Sequence, residues 1–186
     1  MAPRIGVLAL QGGFGAHGRV LGALGADVCE VRVPADLDGL DGLVLPGGES
    51  TVIERGIARE ALAQPLGALV AAGTPVLGTC AGMIILDRGH LGLMDIRARR
   101  NAFGRQAHSF EADLDLEGIA GGPLRAVFIR APWVQDHGAG VEVLAAIDGH
   151  PVAVREGERL AVAFHPELSG DERLHAHFLE RVRALT

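Results

Sequence analysis

The residue with the clearest chemical potential is Cys80, which lies in the run Gly-Thr-Cys-Ala-Gly at residues 78–82. A short apolar segment precedes this run and an apolar, helix-like segment follows it. At such a junction the nucleophile occupies a tight strand-to-helix turn, for which glycines leave room, and the thiol is lifted clear of the sheet. The following helix N-terminus favours the thiolate, and the Ala81 N–H lies where an oxyanion needs a donor. Cys80 is therefore the predicted nucleophile, whereas Cys29 lies within an alternating strand pattern and is interpreted as a core residue.

A thiol nucleophile also needs a base that takes its proton and later delivers it to the leaving group. His165 ends an apolar run, which predicts a position at the C-terminal edge of a strand. Glu167 follows two residues later, and Pro166 is expected to keep the backbone extended, so that both side chains share one face. The carboxylate would then fix the imidazole tautomer. In isolation the His-Pro-Glu run is typical of a surface turn, but together with Cys80 it predicts the base and its orienting group.

The other seven histidines lack a neighbouring carboxylate in comparably rigid context. They are assigned solvated or structural roles: His17, His90, His108, His137, His150, His175 and His177. No pair has convincing zinc-ligand spacing together with a third ligand. We therefore predict neither a metal nor a cofactor.

Composition limits the classes of protein to be considered. A chain of 186 residues is long enough for one well-buried core, so we expect one domain over residues 1–186. The net charge of −6 argues against a nucleic-acid or anionic-membrane surface. There is no 18-residue apolar stretch and no signal-peptide layout, so neither a membrane span nor secretion is expected. Two distant cysteines then favour a reduced, cytoplasmic setting.

Strand-like and helix-like segments alternate four times in the first half of the chain, which predicts a mostly parallel sheet covered by helices on both faces. Shorter runs after Gly89 predict a partly antiparallel extension of that sheet. The predicted strands are Arg4–Leu10, Asp27–Val33, Gly42–Leu45, Pro75–Gly78, Leu124–Arg130, Val141–Ala146, Val152–Arg155 and Leu160–Phe164. The predicted helices are Gly15–Leu24, Ser50–Ala72 with a break near Gln64-Pro65, Ala81–Asp87 and one from Asp171 to the end.

Taken together, these motifs resemble the class I glutamine amidotransferases of the triad family. Several runs narrow the resemblance to the glutaminase subunits of pyridoxal 5′-phosphate synthase, and they occur in that family's order over almost the whole chain. They are Leu-Ala-Leu-Gln-Gly at 8–12, Leu-Pro-Gly-Gly-Glu-Ser-Thr at 45–51, Arg-Asn-Ala-Phe-Gly-Arg-Gln at 100–106, Val-Phe-Ile-Arg-Ala-Pro at 127–132 and Phe-His-Pro-Glu-Leu at 164–168. The resemblance implies a three-layer α/β/α fold.

The resemblance also implies roles for further residues. Gly47, Gly48 and Glu49 would cradle L-glutamine, with a backbone amide at Gly48 joining that of Ala81 as an oxyanion donor. Arg100 would hold the substrate α-carboxylate, a task suited to guanidinium geometry, while Ile129 and Arg130 would line the same pocket. Gln11 and Gly12 would contact a (β/α)₈ synthase partner that receives the ammonia.

Two alternatives remain open from the sequence. One is the glutaminase of another pathway, such as imidazole glycerol phosphate synthase, which shares the chemistry but not the runs at 100–106 and 127–132. The other is a non-catalytic amidotransferase-like assembly module, against which a full triad argues. A thiol redox sensor would need a resolving cysteine, for which Cys29 is a poor candidate. The segment between Leu86 and His90 is also shorter than in relatives.

Overall fold

A seven-stranded mixed sheet forms the centre of the computed structural model, which describes residues 1–104 and 109–186. Arg105, Gln106 and His108, named above, lie outside the described residues. The strand order is β2-β1-β3-β4-β11-β10-β9, and all pairs from β2 to β11 are parallel. The strands of this sheet are β1 (Arg4–Leu8), β2 (Asp27–Val31), β3 (Gly42–Leu45), β4 (Val76–Thr79), β9 (Glu142–Ile147), β10 (His150–Glu156) and β11 (Arg159–Val162).

Every residue of β3 and β4 is buried, which indicates that both faces of the sheet are covered by helices. Helices α1 and α5 pack together, and so do α2 and α4. The α-helices are α1 (Phe14–Ala23), α2 (Ser50–Arg59), α3 (Ala63–Ala71), α4 (Ala81–Leu86) and α5 (Arg173–Leu185), and two short 3₁₀ turns span Pro34–Leu37 and Pro166–Leu168. The predicted three-layer α/β/α class is confirmed.

The helix expected over Ser50–Ala72 is two helices, with a chain reversal at residues 60–62 where Ala61 has a φ of 55°. The break lies just before the Gln64-Pro65 position named from the sequence. Pro65 then falls in the first turn of α3, where its missing N–H costs no intrahelical bond.

The antiparallel extension is confirmed for β10 and β9, which follow β11 in the central sheet. The run Leu124–Arg130 was wrongly assigned to it. That run forms β7 (Leu124–Ile129), which pairs with β6 (Ser109–Leu114) in a separate two-stranded sheet. A second such sheet joins β5 (Ile96–Arg99) to β8 (Trp133–His137). Local alternation identifies strands but does not say which edge a strand joins.

The carboxyl ends of the parallel strands meet at one edge of the sheet, as expected for open α/β folds. Besides the connection after β2, four connections leave this edge: residues 9–13 after β1, 46–49 after β3, Cys80 after β4, and 163–165 after β11. Because β1, β3, β4 and β11 are consecutive neighbours in the sheet, these connections lie side by side.

Candidate active site

Cys80 occupies a strained turn between β4 and α4. Its φ of 49° and ψ of −103° are rare for a residue with a side chain, and such outliers persist where the surroundings impose them. Gly82 is needed beside it, because a Cβ there would clash with the carbonyl oxygen of Leu45. Cys80 is 6% exposed, and its Sγ lies 3.9 Å from the carbonyl oxygen of Ile129. The sulfur is therefore held at the sheet edge in one orientation.

His165 Nδ1 lies 2.8 Å from Glu167 Oε1, so the contact predicted between these residues is present. The backbone reasoning behind that prediction was wrong. Residues 166–168 form a 3₁₀ turn rather than an extended segment. The turn folds the Glu167 side chain, which is 1% exposed, back under the imidazole. Proline suits the first position of this turn as well as it suits extended backbone, so Pro166 did not distinguish the two.

The electrostatics of this trio favour a protonated imidazole. Burial disfavours the imidazolium, but hydrogen bonds with Cys80 and Glu167 outweigh it and raise the pKa of His165 to about 10. Burial would likewise raise the pKa of Glu167, yet its hydrogen bond with His165 lowers it. A cationic ring between a thiol and a carboxylate can stabilise a thiolate and donate a proton to a leaving group.

A cavity of about 240 Å³ opens beside Cys80 and His165. Its wall contains nearly all the residues for which a substrate or oxyanion role was expected. It also contains three that the sequence did not indicate: Ser50, Ile84 and Asn101. The expected residues in its wall are Gln11, Gly48, Glu49, Cys80, Ala81, Arg100, Ile129, Arg130 and His165. Asn101 and Arg130 have φ values of 46° and 44°, so two further strained residues border the cavity.

Glu49 and Arg100 meet in the cavity wall rather than standing apart. Arg100 Nη2 donates to Glu49 Oε1 at 2.9 Å, and Nη1 donates to Thr51 Oγ1 at 3.2 Å. Both charged side chains remain nearly half exposed. A zwitterionic ligand could therefore replace this ion pair with little structural cost, its carboxylate binding Arg100 and its ammonium group binding Glu49.

The loop after β3 is tied to the loop after β1. Glu49 N–H donates to Gln11 Oε1 at 2.7 Å, and Gly13 N–H donates to the Gly47 carbonyl at 2.9 Å. Gly12 has a φ of 99°, and a side chain on it would collide with the Gly47 carbonyl. Gln11 and Gly12 thus support the loop that carries Gly47 and Gly48, the neighbourhood in which an oxyanion donor was expected.

Gly47 lies directly against the His165 ring, since a Cβ built on Gly47 would clash with the imidazole and sit 3.3 Å from the Cβ of Cys80. Across the cavity, Ala81 is the first residue of α4, and its N–H therefore has no acceptor within the helix. Ala81 thus has a backbone donor free of the helix next to the nucleophile, whereas the Gly47 N–H already donates to Thr79 Oγ1 at 3.1 Å.

His17 and His175, assigned solvated or structural roles from the sequence, are completely buried behind the trio. His17 Nε2 lies 3.1 Å from Thr79 Oγ1 and 3.3 Å from Glu167 Oε2. A usable signal existed in the sequence: His17 precedes the core residue Leu21 by one helical turn, and a histidine on an apolar helix face needs buried partners.

Within residues 1–104 and 109–186, no group of three or more His, Cys, Asp or Glu side chains is arranged to hold a metal ion. Among the same residues, no helix is both long and apolar enough to cross a membrane.

Comparison with known proteins identifies close relatives. A model of the SNO glutamine amidotransferase family matches residues 7–184. The pyridoxal 5′-phosphate synthase subunit PdxT of Frankia alni is 54% identical over 191 residues, covering 98% of this chain and 96% of the relative. The subunit of the same name from a Parafrankia species is 55% identical, covering 98% and 95%. A solved structure described as a glutamine amidotransferase is 45% identical, with a TM-score of 0.90 and coverage of 96% and 98%.

Proposed function

Because this chain belongs to the SNO glutamine amidotransferase family, we propose that it hydrolyses the side-chain amide of L-glutamine and supplies the ammonia to a pyridoxal 5′-phosphate synthase partner. The observation that carries the proposal is the trio of Cys80, His165 and Glu167 beside a cavity of amino-acid size. The proposal assigns the reaction to one domain over residues 1–186 and uses neither metal nor cofactor.

In the first half of the reaction, the Cys80 thiolate attacks the amide carbon of glutamine and a carbon–sulfur bond forms. The carbonyl π electrons move to oxygen, and backbone N–H groups at Gly48 and Ala81 stabilise the resulting oxyanion. When the carbonyl re-forms, the carbon–nitrogen bond breaks. His165 gives its proton to the departing nitrogen, which leaves as ammonia, and a glutamyl thioester remains on Cys80.

In the second half, the neutral His165 ring accepts a proton from water as the water oxygen attacks the thioester carbon. The same two backbone donors stabilise the second oxyanion, and the carbon–sulfur bond then breaks. The new carboxyl group loses its remaining proton to solvent, glutamate leaves, and the thiolate–imidazolium pair is restored. Glu167 holds the ring tautomer and stabilises its positive charge in both halves.

Substrate binding is assigned to the charged wall of the cavity. Arg100 would hold the α-carboxylate of glutamine with its guanidinium fork. Glu49, released from Arg100, then faces the α-ammonium group, with the Gly47–Gly48 backbone as the floor. Ile129 and Arg130 would line the remaining side. Support comes from the clustering of these residues, apart from Gly47, around one cavity.

Gln11 and Gly12 are proposed to contact the (β/α)₈ synthase subunit. The support is that Gln11 and Gly13 are hydrogen-bonded to the loop of Gly47 and Glu49 and that Gly12 lies against it, so a partner at this turn could adjust the oxyanion donors. The relatives are named as subunits of pyridoxal 5′-phosphate synthase, which favours this pathway over imidazole glycerol phosphate synthase. We also propose a cytoplasmic setting, since the reaction requires Cys80 reduced and both cysteines are free.

The direct test is ammonia release from glutamine by the full chain mixed with a pyridoxal 5′-phosphate synthase subunit. We expect hydrolysis that increases on addition of the subunit, and its loss in Cys80→Ala. Cys29→Ala is the matched control and should retain activity. Equal ammonia release by Cys80→Ala would contradict the proposal, and stimulation by an imidazole glycerol phosphate synthase cyclase instead would reassign the pathway.

A further inference from the structure

A buried histidine pair, His17 of α1 and His175 of α5, lies behind Glu167. His17 Nδ1 is 2.9 Å from His175 Nε2, and His17 Nε2 is 3.3 Å from Glu167 Oε2. Both histidines are 0% exposed. Glu167 Oε2 is buried and makes no well-aligned hydrogen bond within the described residues, so His17 is the group positioned to support it. The proposed reaction assigns no role to either histidine.

Both members of the pair are neutral near pH 7. Burial lowers the pKa of His17, and the carboxylate of Glu167 only partly offsets this. Burial and the neighbouring His17 lower the pKa of His175 to about 3. The titratable groups that face the pair are Glu167 and His165 from the 165–167 segment, and among the described residues no other charged group contributes to either shift. Each ring therefore carries one N–H.

The contact with Glu167 distinguishes the two ways of placing these protons. If His17 carried its proton on Nδ1, its bare Nε2 could accept the Thr79 hydroxyl proton but would also face the lone pairs of Glu167 Oε2 at 3.3 Å. His175 would then accept at Nε2 and carry its own proton on Nδ1, which is buried with no partner in the described residues. A repulsive contact and an orphaned donor would result.

The opposite placement removes the repulsive contact. His175 Nε2–H donates to His17 Nδ1, and His17 Nε2–H donates to Thr79 Oγ1, with Glu167 Oε2 3.3 Å from the same nitrogen. Within the described residues each placement leaves one buried donor unpaired, here the Thr79 hydroxyl, so the attraction between the His17 N–H and the Glu167 carboxylate decides between them. The network then runs in one direction, from α5 through α1 to the carboxylate.

We propose that His17, held by His175, is a positioning residue for the glutaminase reaction: its Nε2–H anchors one oxygen of Glu167 so that the other stays directed at His165. The inference rests on the proposed function. Thr79 connects His17 to the loop in which an oxyanion donor is proposed. Thr79 Oγ1 lies 3.1 Å from His17 Nε2 and also accepts the Gly47 N–H at 3.1 Å. His17 thus touches supports of both the base and the loop next to it.

The proton placement can be tested on the wild-type chain without any assay of activity. Nitrogen-15 imidazole spectra, assigned with His17→Gln and His175→Gln, should show both rings neutral and protonated on Nε2 between pH 7 and 8. A His17 ring protonated on Nδ1, or on both nitrogens, would overturn the inference. This result stands whether or not the chain proves to be a glutaminase.

The positioning role is tested by kinetics of the chain in complex with its synthase partner. His17→Leu should lower kcat by about 10- to 100-fold, a range typical of residues that orient a catalytic group, with KM little changed. The acid limb of the pH profile should move to higher pH, because the pKa of Glu167 rises when the His17 N–H is removed. His17→Gln keeps an N–H near Nε2 and should restore part of kcat, and His177→Gln, on the same helix as His175, should match wild type.

If both His17 variants keep the wild-type kcat and acid limb, the inference fails while the glutaminase function stands. A wild-type complex that hydrolyses no glutamine contradicts the proposed function instead. If His17→Leu does not fold, the variants His175→Leu and His175→Gln test the same positioning role at the second histidine of the network. We expect a lower kcat for the leucine variant and partial recovery for the glutamine variant, and unchanged kcat in both would overturn the inference.

Discussion

Glu49 and Arg100 form an ion pair in the wall of the catalytic cavity, with 2.9 Å between Oε1 and Nη2. Two residues that are far apart in sequence thus present opposite charges to one space, in the pattern needed for the two charges of an α-amino acid. The pair is nearly half exposed, so its own contribution to folding is small. We propose that its role is to recognise the substrate.

Arg100→Gln should therefore raise KM for glutamine with a smaller change in kcat. A charged hydrogen bond contributes about 1.5–3 kcal/mol, which corresponds to roughly a 10- to 100-fold increase in KM. Steady-state kinetics with the synthase partner measure both constants. Arg97→Gln, an exposed arginine of β5, serves as the control and should leave KM unchanged. An unchanged KM in Arg100→Gln would remove Arg100 from the substrate site.

Gly47→Ala should abolish most activity while leaving the fold intact. The added methyl group would strike the His165 ring, and displacement of a catalytic group by about 1 Å can cost about 100-fold in rate. Gly47 has no positive φ, so the effect is steric. Gly67→Ala in α3 meets no atom within 4 Å and should instead stabilise the helix by about 1 kcal/mol. Wild-type kcat in Gly47→Ala would show that the loop is free to move aside.

The pKa values of His165 and His175 should be shifted in opposite directions from that of a free histidine. Hydrogen bonds with Cys80 and Glu167, acting against burial, raise the pKa of His165 to about 10, while burial lowers that of His175 to about 3. Imidazole chemical shifts followed from pH 4 to 10.5 would detect the His165 transition near its upper end and should show His175 still neutral at pH 4. Glu167→Gln removes one supporting partner and should lower the His165 pKa. Titration of wild-type His165 near 6.5 would contradict the ion-pair description of the site.

Phe128→Ala should destabilise the chain by about 3–5 kcal/mol, the usual cost of deleting a buried phenyl ring. Phe128 is fully buried, stacks on Phe110 at 4.6 Å between ring centroids and meets Phe164 edge-on. Its neighbour Ile129 lines the cavity, so KM should also rise. Denaturant unfolding gives the stability change, with Phe14→Ala, on a partly buried ring of α1, as a milder comparison. An equal loss in both variants would contradict the assigned packing.

The sequence predicted what local patterns control. The alternation of apolar runs with helical segments predicted the parallel half of the sheet, and the glycines around Cys80 predicted its strained turn. Long-range pairing was not accessible: nothing local in the run at 124–130 says that it pairs with β6 instead of β11. The buried pair of His17 and His175 was missed for the same reason, because its members are 158 residues apart and meet only through the packing of α1 on α5.

Labelling of the full chain, in complex with its synthase partner, by the glutamine mimic 6-diazo-5-oxo-L-norleucine tests the central assignment most directly. Peptide mapping by mass spectrometry should find one covalent adduct on the peptide that carries Cys80, and excess glutamine should suppress it. An adduct on Cys29, or no adduct on a complex that still releases ammonia from glutamine, would contradict the assignment of Cys80 as the nucleophile.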